Sequence, residues 1–156
     1  MHKLITRFRS KLLVFLTHYM ALPVLRIIRS PQKFPYTRKA LRQLPEGTLG
    51  NELVTMLDKK NLELLSCYAR RDIKHILLQY NTTGEGEVCL QCFMLGNDHL
   101  SFPVMATVLY GIFTMPEHWG KFRKAWHRGK HFQPIDGWQW FTLLHQPVHS
   151  LINKRK

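Results

Sequence analysis

At 156 residues, with 45% hydrophobic and 12% aromatic side chains, the chain is long enough to bury a core and too apolar to be disordered. Its 23 Lys and Arg against 10 Asp and Glu give a formal charge of +13, which argues for an anionic partner: nucleic acid, a phospholipid surface or a phosphorylated ligand. Three cysteines, Cys67, Cys89 and Cys92, do not make a disulfide framework and suit a reducing compartment.

Residues 2–29 read as a helix bent or broken near Pro23. Lys3, Arg7 and Lys11 recur every four residues, while Ile5, Phe8, Leu12, Phe15, Leu16 and Tyr19 gather on another side. That pattern fits a helix lying on an anionic membrane surface; an amphipathic core helix with a solvated basic face is the alternative. The most apolar run, "LLVFLTHYMALPVLRII" (12–28), is interrupted by His18, Pro23 and Arg26 and does not read as a transmembrane span. It lacks a clear cleavage site and runs into Arg26, Arg29 and Lys33, so it is expected to be retained rather than removed as a signal peptide. Pro31 and Pro35 mark a linker, "SPQKFPYTRKALRQLPEG". The organisation expected is an amphipathic N-terminal helix over 1–30 followed by one helical domain over 31–156.

A short helix is predicted over 47–60, with Thr48 as N-cap and Leu49, Leu53, Met56 and Leu57 on its apolar face. A second covers 63–80, with a break near Ser66–Tyr68. "NTTGEGE" turns into a helix over 86–96 that stops at Gly96-Asn97, with Glu85 and Glu87 suited to its positive N-terminal end. "SFPVMATVLYGIFTM" (101–115) is a nearly uncharged helix, capped by Ser101, and is predicted to be buried in a core or against lipid. Pro116 opens a helix ending at Gly129, and Asp136 caps a last one through "DGWQWFTLLHQPVHSLINK", with Trp138, Phe141, Leu144, Val148 and Leu151 along one side. No alternating strand pattern of useful length appears. The fold class is all-α, with six to eight helices.

Asp72 and His75 lie one helical turn apart and can face one ion, and Glu87 follows just beyond a Gly-rich turn. Carboxylate, imidazole and carboxylate suit a divalent ion such as zinc with an open position; a solvated helix face with a salt-bridged Asp72 is the plainer reading. Cys89-Leu-Gln-Cys92 has no second thiol pair and reads as two small hydrophobes on one helix face. His145 and His149 have zinc-pair spacing but Pro147 between them and no third ligand; His127 and His131 are separated by the expected helix end at Gly129. "KFRKAWHRGKH" (121–131) interleaves cations and aromatics, and anionic lipid is preferred over nucleic acid as its partner.

The spacing D-x-x-H-x11-E resembles the H-D-x-x-H-x11-E motif of the ubiquinone (coenzyme Q) biosynthesis protein 4 family. "LPEGTLGNEL" (44–53), the "GEVCLQCF" helix after its Gly-rich turn, and the closing "FRKAWHRGK…GWQWF" resemble further parts of that family in the same order, over roughly 44–150. The resemblance implies an all-helical, membrane-peripheral protein that handles a prenylated quinone precursor. It also implies zinc at the motif residues, removal of the ring C1 carboxyl group with oxidative replacement by hydroxyl, and a part in organising other quinone-biosynthesis proteins. The matching positions are Asp72, His75 and Glu87, as metal ligands and catalytic residues. Where the family has its first histidine this chain has Arg71, a permanently charged guanidinium that cannot ligate a metal. Zinc is then weakened or lost, and Arg71, with Arg70 and Lys74, offers a site for a phosphate or carboxylate headgroup. The reading preferred is a peripheral protein that binds an isoprenoid lipid on an anionic membrane: the cytoplasmic side of the inner membrane in a bacterium, the mitochondrial inner membrane in a eukaryote. The alternatives are a zinc-dependent lyase using Asp72, His75 and Glu87, and a non-catalytic scaffold or homo-oligomer.

Overall fold

The computed structural model describes residues 34–65 and 69–152; the expected basic helix over 2–29 and the break at Ser66–Tyr68 lie outside them. The described residues contain seven α-helices and no β-strand, as the apolar spacing predicts. These are α1 (Arg38–Arg42), α2 (Leu49–Lys59), α3 (Ala69–Leu78), α4 (Gly84–Gly96), α5 (Phe102–Thr114), α6 (Trp119–Lys130) and α7 (Val148–Ile152), with 3-10 turns at Pro116–His118 and Thr142–His145. They form two compact units: a central one over 80–136, and a split one built from 34–79 and 137–152.

In the split unit, Thr37 caps α1 by accepting from the Ala40 amide at 3.2 Å, and Thr48 caps α2 by accepting from the Asn51 amide at 3.4 Å. Two α1 cations meet one α2 carboxylate: Arg42 binds Asp58 at 2.9 Å and Arg38 also pairs with it. Arg42 first, then Arg38, hold the Asp58 carboxyl below its usual range. Leu49, Leu53, Val54 and Leu57 bury one face of α2, while Ala69, Ile73, Leu77 and Leu78 do the same for α3. The segment from 137 returns across the start of α2. Leu49 N donates to Gln146 O at 3.0 Å and Val148 N to Gly47 O at 2.9 Å.

Three expectations are corrected by these elements. The last segment is not one helix capped by Asp136: Gln146 is extended ahead of Pro147, so the chain forms a 3-10 turn, a bridge to Thr48 and the short α7. The expected linker contains a helix, α1, buried through Leu41. Gly129 does not end α6, which runs on to Lys130, and His131 Nδ1 lies 2.8 Å from His127 O.

The central unit is organised by α4, which packs against both α5 and α6. Thr83 caps it through the Gly86 amide at 3.2 Å, with Glu85 and Glu87 in its first turn. Val88, Cys89, Leu90, Cys92, Phe93 and Met94 are all buried, so α4 hides apolar side chains around most of its circumference. Its contact with α6 depends on two glycines. A Cβ at Gly96 would stand 2.1 Å from Trp126 O, and one at Gly129 would stand 2.2 Å from Phe93 O. The chain leaving α6 is held by buried Asn97, whose amide donates to Gly129 O, Phe132 O and Gln133 O at 3.1–3.2 Å and whose Oδ1 accepts from Ile135 N at 2.9 Å.

Removing that amide would strand several buried backbone groups at once. Asn97→Ala is expected to destabilise the protein by about 3 kcal/mol in urea unfolding, and Asn97→Asp, which turns a buried carboxylate oxygen toward three backbone carbonyls, by at least as much.

Candidate functional site

The six residues singled out in the sequence fall in both units. Arg70, Arg71, Asp72, Lys74 and His75 lie on α3 of the split unit, and Glu87 lies on the first turn of α4 in the central unit. Asp72 and His75 share one turn as predicted; Asp72 is half-buried and His75 is 3% exposed. Glu87 is 6% exposed, and its Oε1 accepts from Gln91 Nε2 at 3.1 Å, one turn along the same helix. Among the described residues no group of three or more His, Cys, Asp or Glu side chains is gathered as a metal site. Arg70 stacks its guanidinium 5.5 Å from the Phe141 ring centre and Lys74 sets its ammonium 5.2 Å from that of Trp140. These two cations, expected to bind a headgroup, thus rest on aromatic faces of the returning segment.

An apolar opening lies inside the central unit. It is a cleft of about 420 Å³ lined by Cys92 and Leu95 of α4, Val108 and Ile112 of α5, and Trp119, Phe122, Arg123 and Trp126 of α6. Each helix contributes one face: i and i+3 on α4, i and i+4 on α5, and i, i+3, i+4 and i+7 on α6. A volume in the range of small-ligand sites with a cation on its wall suits an apolar chain ending in, or passing, an anionic group. The reading of 101–115 as a helix that needs apolar surroundings anticipates the α5 wall. The α6 wall was hidden in a basic run, although the spacing of Trp119, Phe122 and Trp126 carries the helical period.

Polar contacts fix the cleft's edge. Trp119 Nε1 donates to Ile112 O at 2.8 Å, joining α6 to α5. Glu85 of α4 takes Lys121 at 2.6 Å and His118 at 3.5 Å, tying down the start of α6; this bond raises the Lys121 ammonium above its usual range. Lys130 sits 4.3 Å from the Trp126 ring centre. Burial pushes the Cys89 thiol up to about 11, and burial followed by the neighbouring Cys89 pushes Cys92 to about 12. Both cysteines are free and protonated at neutral pH, which agrees with their reading as small hydrophobes.

No protein-family model matches the chain, and no curated protein matches it. Among solved structures it is similar to a crystal structure from Nostoc punctiforme PCC 73102, provisionally named as a ubiquinone biosynthesis protein. The two share 16% identity with a TM-score of 0.63, over 95% of this chain and 79% of that one. At that identity the likeness is one of fold: this chain has the helical architecture of that protein.

Because raised thiol pKa values mean little thiolate, Cys89 and Cys92 are expected to alkylate with iodoacetamide at pH 8 at least about a hundredfold more slowly than in urea. Since the folded values lie above the unfolded one, the two thiols favour the fold below pH 9 and lose that contribution as the pH rises toward 12. Mass-spectrometric labelling with and without denaturant measures the first effect.

Proposed function

We propose that this protein serves ubiquinone biosynthesis as a membrane-peripheral lipid-binding protein, and that the cleft of the central unit takes the isoprenoid tail of a quinone precursor or a related prenylated lipid. The observation that carries this reading is the cleft itself: apolar side chains from three helices around about 420 Å³, with the Arg123 guanidinium on the wall. Each methylene moved from water into such a site contributes about 0.8 kcal/mol, so a prenyl tail can be held by burial alone. The fold shared with a protein provisionally named for ubiquinone biosynthesis, and the D-x-x-H-x11-E spacing, support the pathway.

Solvent extraction of the purified protein, followed by mass spectrometry, is expected to yield an isoprenoid lipid. Val108→Phe narrows the cleft, and Ile112→Asp puts a charge on its half-exposed edge; either is expected to lower the lipid content about tenfold or more. A wild-type extract free of isoprenoid and acyl lipid, or equal lipid in both variants, would refute the assignment.

Ring C1 decarboxylation with zinc on Asp72, His75 and Glu87 is the second reading. It is supported by the D-x-x-H-x11-E spacing, two of whose residues, His75 and Glu87, are buried. Arg71 places a fixed positive charge beside that set, and the expected zinc content is well below one equivalent per chain by elemental analysis. Arg71→His is expected to raise it toward stoichiometry. A variant that still takes up no added zinc removes the lyase reading.

A further inference from the structure

We propose that α5 is a membrane-docking element, whose outward stripe enters the headgroup–acyl boundary of an anionic bilayer, and that the cleft opens within that stripe. This deepens the reading of the cleft as a lipid site and rests on it only for what the opening admits.

The sequence of α5, "FPVMATVLYGIFT", has no charge, yet only Val104, Val108 and Gly111 are buried. The opposite side presents Phe102, Met105, Leu109, Ile112 and Phe113 at helical spacing, with Phe102 86% and Phe113 80% exposed. Leu100 precedes the stripe, and Trp119, 54% exposed, continues it onto α6. A run of large apolar side chains on one exposed face marks an interaction surface. The face is about 20 Å long at 1.5 Å per residue, and among the described residues no helix is long and apolar enough to cross a membrane. Its geometry therefore suits an element that lies in the interface.

Charge selects the occupant. α6 has no Asp or Glu; of its cations Lys121 is paired with Glu85 and Arg128 stacks on Tyr80 and Phe93, while Arg123, Lys124 and Lys130 are exposed and Arg123 shares the cleft wall with Ile112 and Trp119. Cations bordering an apolar stripe match an anionic lipid surface, each near the headgroups contributing to binding. A second copy would bring the same positive rim with it. Ile112 and Trp119 belong both to the stripe and to the cleft, so a lipid chain could pass from the bilayer into the cleft without crossing water.

Co-sedimentation of the full chain with phosphatidylcholine vesicles and with phosphatidylcholine–phosphatidylglycerol vesicles tests this. The wild type is expected to bind the mixed vesicles more tightly. The triple variant Phe102→Ser, Leu109→Ser, Phe113→Ser is expected to lose about tenfold or more of that partition while keeping the wild-type melting temperature, because all three side chains are exposed. Binding by the triple variant within about twofold of wild type overturns the proposal, and so does no preference for the anionic vesicles. A wild type that ignores vesicles but forms a dimer abolished by the same substitutions also overturns it and assigns the face to a second copy. Val108→Phe separates the two readings: it is expected to lose extracted lipid yet keep vesicle binding. Lost lipid beside an indifferent triple variant sinks the docking face alone, and vesicle binding without any extracted lipid sinks the cleft assignment alone.

Discussion

Two helix backbones come together where α4 meets α6, and the central unit is arranged around that meeting. Gly96 and Gly129 each face the main chain of the other helix, at distances where any side chain would collide with a carbonyl group. Such an approach brings Phe93 of α4 within 5.4 Å of Phe132, ring centre to ring centre, and lets Arg128 stack on both Phe93 and Tyr80. It also sets the height of Trp119, Phe122 and Trp126 above Cys92 and Leu95. A bulkier pair at the crossing would lift α6 from α4, and the cleft between them would change shape before anything bound in it.

The third wall has a different origin. α5 is apolar all round, which in a soluble core would mean full enclosure. Only one of its sides is enclosed, packed on α4 through Val88 and Gly111. The other side is open. The unit thus keeps a small packed core, a cleft beside it, and an uncovered apolar surface beyond the cleft, all served by one short helix.

Local signals were legible wherever they sufficed. Thr48 caps α2 as its position suggested, and Gly96-Asn97 stops α4. The uncharged run at 101–115 was recognisable as a helix needing apolar surroundings, though which side would stay open depends on α4. What was missed depends on distant partners. Gly129 has the composition of a helix stop, but its role is to admit Phe93 O, so the helix continues past it. The last segment has a plausible helical stripe, but Gln146 takes the Leu49 amide, a bond that exists only once α2 is in place. The Asp72–His75 pair was readable because one turn of helix fixes it. Glu87, by contrast, is separated from them by a Gly-rich turn and belongs to the other compact unit, so sequence spacing could not fix its relation to them.

The chain from the last turn of α6 onward, Gly129 to Ile135, is tethered to a single side chain, Asn97. A tether of this kind counts residues. One amino acid added or removed between those positions would shift every later carbonyl past the amide that reads it. Relatives of this chain should therefore vary in length elsewhere, at exposed sites such as Gly137, whose φ of +84° marks a turn under no such constraint.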